Sequence, residues 1–213
     1  MRRLRKMFRF AFAIAAMVMA GLCAPSAFAQ NQPSNAGRDS CFDAKAGRMP
    51  SQVVFADGNR IRLVARDDLL LTYLTVLPGG AQMEMTTLGG LFTLKSRNLA
   101  DGAERIFRWD QDLSRFFPLR IGLHIRAKAV VMQSESDRTS HYAVDAMVLG
   151  AENLRIGSCD YMVLKIDLQD ANGMLLTRYV SPDLLLTMRT LISYPATAQA
   201  PARTVEHRVI ALE

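Results

Sequence analysis

The segment that decides the fold runs from Gly157 to Thr190 and reads GSCDYMVLKIDLQDANGMLLTRYVSPDLLLTMRT. From Met162 to Leu168 the residues alternate with the two-residue period of a β-strand, because successive side chains leave opposite faces of a sheet. Asn172-Gly173 is the pair preferred in a type I′ hairpin turn, where both central residues need positive φ. The segment Met174–Val180 then returns antiparallel. The sequence therefore predicts a β-hairpin here.

The residues after this hairpin allow two interpretations. Ser181-Pro182-Asp183 is a good helix start, with a capping serine and a proline at the first helical position. The apolar residues of 184–192 fit a helical face about as well as a strand. We predict a strand, because every flanking segment is a strand and β-branched residues continue through it.

The same alternation extends outward along the chain. Turn signals such as Asp57-Gly58-Asn59, Pro78-Gly79-Gly80 and Gly89-Gly90 separate about eleven strands of roughly five to ten residues. One of these strands includes 142–148 and is expected to end at Gly150. The sequence predicts an all-β fold with little helix, either an antiparallel sandwich or one strongly curved half-barrel sheet, in a single domain over 51–213.

The first 29 residues have the features of a secretory signal peptide. A head with five basic residues precedes an apolar run from Phe10 to Leu22, and Ala27-Phe28-Ala29 supplies the small residues needed for cleavage. The run is too short for a membrane span with these flanks. We therefore predict a cleaved signal over 1–29, an extended lead-in over 30–50 and no transmembrane span after cleavage. The predicted location is the periplasm, and a secreted or envelope-associated protein is the alternative.

The charge of the chain does not indicate nucleic-acid binding. The full sequence has 26 basic and 20 acidic residues, but five of the basic residues lie in the predicted signal. The mature chain then has 21 basic and 20 acidic residues, which is nearly balanced. An exposed stripe of Arg60, Arg62 and Arg66 is most simply a solvated strand face.

Two cysteines, Cys41 and Cys159, remain after removal of the signal. An even pair in an exported protein predicts a disulfide. The pair would close a loop of 118 residues, for which the chain-entropy estimate is about 4–5 kcal/mol. Two free thiols are the alternative. Neither cysteine lies in a recognisable nucleophile or Cys-x-x-Cys context.

We find no catalytic, metal-binding or cofactor-binding motif. The three histidines, His124, His141 and His207, are not at ligand spacing, and Met83 and Met85 are explained as alternating core residues. The acidic residues Asp110, Asp112, Glu135 and Asp137 carry no spacing signal for acid–base chemistry. The sequence therefore predicts no catalytic residue, no metal and no cofactor.

Two segments are apolar on both faces, Leu69–Leu77 and Leu184–Ile192. Either a second layer covers both faces, or one face lines a concave cavity for a lipid-like ligand. On the second alternative we predict Leu70, Leu74 and Leu185 as an apolar ligand face.

Three phrases resemble an uncharacterised family of exported bacterial proteins: FFPLRIG, GAENLRIGSCDYMVLKI and YVSPDL, within roughly 104–213. At fold level that family is similar to the half-barrels that carry lipoproteins across the periplasm. The resemblance implies a structural likeness and assigns no functional residue.

These observations favour a non-enzymatic periplasmic protein that binds an apolar or envelope-derived ligand, or an envelope partner such as a lipid or lipoprotein, on a concave sheet face. One alternative is a hydrolase that acts on envelope polysaccharide or lipid. Another is a structural component that maintains the envelope.

Overall fold

The computed structural model describes residues 41–134, 136–170, 174–196 and 201–213, and it leaves the side chains of 136–138 and 170 undescribed. The described residues form twelve strands and one turn of 3₁₀ helix, Leu113–Phe116. The strands are β1 Gln52–Phe55, β2 Arg60–Asp67, β3 Leu70–Val76, β4 Gln82–Leu88, β5 Phe92–Asn98, β6 Glu104–Trp109, β7 His124–Gln133, β8 Ser136–Ile156, β9 Cys159–Asp170, β10 Leu175–Ser181, β11 Leu186–Tyr194 and β12 Arg203–Leu212.

The strands form a closed antiparallel barrel. Each strand pairs with its neighbours in sequence, and β1 also pairs with β12, with Val53 opposite Leu212. Beyond this pair, the backbone N–H groups of Ser51 and Gln52 donate to the Glu213 carbonyl at 2.6 and 3.0 Å. The predicted all-β antiparallel class is confirmed, but the predicted sandwich or half-barrel is wrong. Alternation shows which face of a strand is buried, and it does not show that the first and last strands pair.

The β8 strand is longer than the sequence predicts. It passes through Gly150 and continues to Ile156, paired with β9 along its length. Val148 lies opposite Ile166 and Gly150 opposite Lys165, so Leu149 is an extra residue that has no partner in β9. The glycine therefore accompanies a β-bulge, where a strand bends without ending. The predicted strand end at Gly150 is wrong for this reason.

The strand interpretation of the segment after Ser181 is confirmed, because β11 follows a turn over 182–185. The serine still acts as a cap, since the Leu184 N–H donates to the Ser181 Oγ at 3.3 Å. The predicted pairing of β9 with β10 is also confirmed, with Leu175 opposite Gln169. The Asn172-Gly173 turn itself lies outside the described residues.

The buried apolar side chains form two clusters. The first contains Phe92, Ile125 and Ile166 among others, and the second contains Val53, Leu184 and Met188 among others. Val163 and Leu164 are adjacent in β9, and both are buried, yet Val163 belongs to the second cluster and Leu164 to the first. Because adjacent strand residues point to opposite faces, the middle of β9 is covered on both faces.

The β3 and β10 strands share this property. In β3, Leu71 belongs to the second cluster while Leu70 packs against the first. In β10, Tyr179 belongs to the second cluster and Val180 to the first. Of the two segments that are apolar on both faces in the sequence, Leu69–Leu77 therefore packs against a buried cluster on each face.

The turn between β4 and β5 is buried inside the fold rather than exposed. A Cβ at Gly89 would lie 2.0 Å from the Phe117 ring, and a Cβ at Gly90 would lie 2.1 Å from the Leu185 carbonyl oxygen. Both glycines have positive φ, +60° and +68°. Thr187 Oγ1 donates to the Gly90 carbonyl at 3.0 Å. Only glycine allows the turn to approach the neighbouring backbone so closely.

The start of the described chain is joined to β9. Cys41 and Cys159 form a disulfide with their Cα atoms 5.6 Å apart, as the sequence predicts. The Phe42 N–H also donates to the Tyr161 hydroxyl at 3.2 Å. The predicted signal over 1–29 and the lead-in up to residue 40 lie outside the described residues. Within the described part of the chain, no helix has the length and apolar character needed to cross a membrane.

Candidate functional site

A cavity of about 180 Å³ lies in the barrel interior between strands on opposite sides of the ring. We call it the tyrosine cavity. Its wall combines apolar side chains with hydroxyl groups, contributed by β1–β5, by β10 and β11, and by the two turns that meet at Gly90 and Leu185. The lining residues are Phe55, Ile61, Tyr73, Met85, Thr87, Gly90, Leu91, Thr93, Arg178, Leu185, Leu186, Thr187 and Thr190.

A second interior cavity, of about 160 Å³, is lined mainly by aromatic and aliphatic side chains. We call it the tryptophan cavity. Trp109 packs edge-on against Phe92 and Tyr142, with ring centroids 5.5 and 5.9 Å away. Its indole N–H donates to the Thr93 carbonyl at 3.0 Å, so the ring is fixed in place. Aromatic rings held in this way offer a rigid apolar wall to a ligand.

Arg178 lies where the two cavities meet. Leu91, Thr93 and Arg178 line both of them. The Arg178 Nη1 donates to the Leu91 carbonyl at 3.0 Å, and no carboxylate among the described residues forms an ion pair with it. A half-buried guanidinium without a counter-ion is costly, because it gives up water without gaining an opposite charge. This residue is the most distinctive feature of the interior.

Hydroxyl groups accompany the guanidinium in the tyrosine cavity. They belong to Tyr73 and to threonines of β4, β5 and β11. Burial raises the pKa of the Tyr73 phenol, and the positive charge of Arg178 opposes this rise only in part. The phenol therefore stays protonated at neutral pH and can donate a hydrogen bond. The site combines one cation, neutral donors and an adjoining aromatic wall.

The predicted ligand residues lie in different places. Leu185 lines the tyrosine cavity, and its φ of +56° is uncommon for a residue with a side chain. Leu70 packs against the first cluster, and Leu74 is buried; neither is among the described residues that line the two interior cavities. Both leave the face of β3 opposite to Tyr73, because strand residues alternate. As ligand-binding residues the three stay predictions.

The sequence interpretation missed Arg178, Tyr73 and Trp109 as a site. A signal for Arg178 was present, because it lies between Leu176 and Val180 in the alternating register of β10. These neighbours belong to or pack on the first cluster. A charged residue in the inward register of a strand indicates a polar interior feature. Nothing in the sequence joins it to Tyr73 or Trp109, which are distant along the chain.

Two carboxylates line a groove on the outer face, which we call the aspartate groove. It measures about 280 Å³ and includes Asp110, Asp145, Arg126 and Lys128. Asp110 Oδ1 accepts from the Lys128 backbone N–H at 3.0 Å, and Asp145 pairs with His124 and, at 2.9 Å, with Arg126. The hydrogen bonds from His124 and Arg126 lower the pKa of Asp145. A general acid needs a raised pKa, which is the opposite arrangement.

The other acidic and histidine candidates have local roles. Asp112 accepts from the Ser114 N–H at 2.9 Å and caps the 3₁₀ turn, and His207 bonds to Asp57 at 2.5 Å. Glu135 and the side chain of Asp137 lie outside the part of the chain that the structure describes. Among the described residues, no group of three histidine, cysteine or acidic side chains is arranged to hold a metal ion.

Together these features define a closed antiparallel β-barrel whose interior carries an arginine that forms no ion pair with any residue the structure describes. No model of a known protein family matches the chain, and no curated protein matches it. Among solved structures, the chain is similar to the crystal structure of the hypothetical lipoprotein YmcC from Escherichia coli, with a TM-score of 0.42 and 14% identity over 78% of this chain and 89% of that chain. A similarity of this degree carries no inference about function. The likeness to a lipoprotein carrier stays a prediction.

Proposed function

We propose that the chain is a periplasmic binding protein for a small amphiphile of the cell envelope, and that the ligand lies in the barrel interior. Its acidic group pairs with Arg178, and its apolar part lies against the wall of the tryptophan cavity. The observation that supports this proposal is the position of Arg178, shared by two cavities and without a carboxylate partner among the described residues.

The polarity of the site favours an acidic amphiphile over a neutral lipid. A guanidinium binds a carboxylate or phosphate through two parallel hydrogen bonds, and charge-assisted bonds of this kind are about twice as strong as neutral ones. The Tyr73 phenol and the hydroxyls of Thr93 and Thr190 offer further donors at the same place. The hydroxyls of Thr87 and Thr187 already donate to backbone carbonyls. A neutral ligand could accept hydrogen bonds from the further donors but would leave the guanidinium without a counter-ion.

The volume of the site favours a small ligand. Pockets for drug-sized molecules measure about 300–1,000 Å³, and each interior cavity alone is smaller than this range. The combined volume of the two cavities reaches the lower end of this range. A ligand that spans both must pass beside Leu91, Thr93 and Arg178, which are the residues common to both walls.

The single tryptophan provides the assay. Because Trp109 lines the tryptophan cavity, its fluorescence should change when decanoate or decyl phosphate is titrated into the oxidised protein. Decanol has the same chain without the acid and should bind more weakly by about tenfold or more. Arg178→Gln should remove this preference, since glutamine keeps an N–H donor for the Leu91 carbonyl but has no charge. Arg62→Gln, in the exposed outer register of β2, is the matched control and should bind like the parent.

Two results would contradict the proposal. One is an unchanged Trp109 signal with all three probes, together with native mass spectrometry of protein from the periplasm that shows no bound mass. That outcome would favour the structural role in the envelope. The other is equal affinity for decanoate and decanol, which would remove Arg178 from the binding site. Thermal unfolding of each variant checks that it is folded.

A further inference from the structure

The outer surface carries a groove of about 420 Å³ between the end of β8 and the strands β11 and β12. We call it the arginine groove. Three of its lining residues, Ile156, Met188 and Val209, are buried and belong to the second cluster. The remaining lining residues are Leu154, Arg155, Gly157, Arg189, Glu206, Arg208 and Ile210. The groove is therefore lined by both apolar and charged residues.

Three guanidinium groups from three strands line this groove, against one carboxylate. Glu206 pairs with Arg189, with 2.7 Å between Oε1 and Nε. Arg155 and Arg208 have no ion pair or side-chain hydrogen bond to any residue that the structure describes. The groove thus has an excess of two positive charges on a mature chain whose total charge is nearly balanced. This excess is local and is not a consequence of composition.

The two arginines of β11 and β12 stand directly opposite each other. Arg189 is the cross-strand partner of Arg208. Like charges in this position repel and destabilise a sheet. An anion that lies between the two guanidiniums would change this repulsion into attraction to a shared counter-ion.

One of the three guanidiniums is held in a fixed orientation. Arg189 is bonded to Glu206 on one side and lies over the Tyr179 ring, 5.0 Å from its centroid. The Tyr179 ring is itself buried. A guanidinium that is held by an aromatic face and a carboxylate loses little freedom when a ligand binds. The groove therefore has one fixed cation and two exposed cations beside it.

The arginine groove is separate from the interior site. Arg189 pairs with Tyr179, whereas Arg178 pairs with Thr190, the next position along both strands. Because neighbouring residues of a strand leave opposite faces, Arg189 and Arg178 point away from each other. A ligand in one site does not contact the other.

We propose that the arginine groove binds an acidic saccharide through its phosphate or carboxylate groups. Arginine presents planar donors that match both kinds of anion. The exposed Ile210 and the half-buried Leu154 offer apolar surface to the C–H face of a sugar ring. A discrete molecule can also enter a concave groove that a flat membrane surface cannot contact. The proposal does not depend on the interior ligand.

The test is calorimetric titration of the oxidised protein with glucose 1-phosphate, with a galacturonic acid trimer and with neutral maltotriose. We expect one or both acidic probes to give a heat of binding and maltotriose to give none. Binding of the sugar phosphate alone assigns phosphate as the recognised group, and binding of the trimer alone assigns carboxylate. Binding should weaken as sodium chloride is added, because charged contacts at a surface are screened. This measurement at increasing salt concentration uses the unmodified protein, so it does not depend on whether a variant folds.

Arg155→Gln and Arg208→Gln should each lower the affinity by about tenfold, the effect of one charge-assisted hydrogen bond. The control is Arg62→Gln, an exposed strand arginine outside the groove, which should leave the affinity unchanged. Three results would overturn the proposal: no heat with either acidic probe, equal binding of maltotriose, or an equal loss in the control. Sedimentation with anionic phospholipid vesicles, dependent on Arg208 and without saccharide binding, would replace the saccharide by a membrane surface.

Discussion

The buried turn between β4 and β5 can be tested by a single methyl group. Gly90→Ala places a Cβ 2.1 Å from the Leu185 carbonyl oxygen, at a φ of +68°. Gly80→Ala is a matched control, because Gly80 has a φ of +82° and nothing within 4 Å of the added Cβ. The two variants share the backbone cost and differ in the close contact.

The expected magnitudes follow from these contacts. A left-handed conformation costs a residue with a Cβ about 1–2 kcal/mol. The added Cβ also restricts the unfolded chain, which stabilises the folded state by roughly 0.4–1 kcal/mol. Gly80→Ala should therefore lower the free energy of unfolding by about 1 kcal/mol. In Gly90→Ala the carbonyl must also retreat by roughly 1.3 Å to an ordinary contact. Overpacking of this kind adds about 1–3 kcal/mol, and loss of the bond from Thr187 adds about 1 kcal/mol. We expect a total loss of about 3–5 kcal/mol.

The measurement is urea unfolding of the oxidised proteins, followed by Trp109 fluorescence. The free energies of unfolding are compared with one common m-value for all proteins. Thermal unfolding should show the same order, since each kcal/mol lowers the Tm by about 2–4 °C for a chain of this length. Equal losses in the two variants would refute the reasoning. The turn would then lie away from Leu185, and the tyrosine cavity would lose one of its walls.

Two further predictions concern links between distant segments. Replacing Cys41 and Cys159 by serine should lower the free energy of unfolding by about 2–5 kcal/mol, as for other natural disulfides, and dithiothreitol should reproduce the loss in the parent and have no effect on the variant. Asp57 bonds to His207 at 2.5 Å; burial alone would raise the pKa of Asp57, but the hydrogen bonds from His207 and Asn59 outweigh burial and lower it. The stabilisation is therefore present above the unfolded pKa, near 3.9, and is lost as the pH falls through the lower folded pKa. Asp57→Asn should cost about 1 kcal/mol at pH 6 and progressively less as the pH falls below about 4, and a difference in urea unfolding that stays constant over this range would contradict this assignment.

Much of the fold can be predicted from the sequence, because alternation and turn residues act locally. The segment 162–168 shows its strand by period alone, and β11 could be assigned because its neighbours are strands. Closure of the barrel could not be predicted in this way. It depends on β1 meeting β12, a pairing between the two ends of the domain that leaves no local pattern.

The candidate site is less visible in the sequence than the fold. Leu185 is apolar and lines the interior, yet its backbone shape and its contact with Gly90 depend on two turns that are distant in sequence. Arg178 carries the one local signal, a charge in an apolar register. Its partners could not be predicted, because the lining residues come from both sides of the ring.

The width of the barrel explains why its interior contains an arginine at all. Side chains just fill a barrel of about eight strands, and the twelve described here enclose more space. The β4–β5 turn fills part of it and brings backbone carbonyls into the interior, where each needs a donor. Thr187 supplies one to Gly90 with a single hydroxyl, whereas Arg178 supplies Leu91 with a group that has five donors and a charge. A neutral side chain would satisfy that carbonyl at lower cost, so the remaining donors and the charge indicate a further acceptor. Arg178→Gln should therefore keep most of the free energy of unfolding while it loses the preference for an acidic ligand. If the variant lost its stability together with that preference, the role of the arginine would be structural.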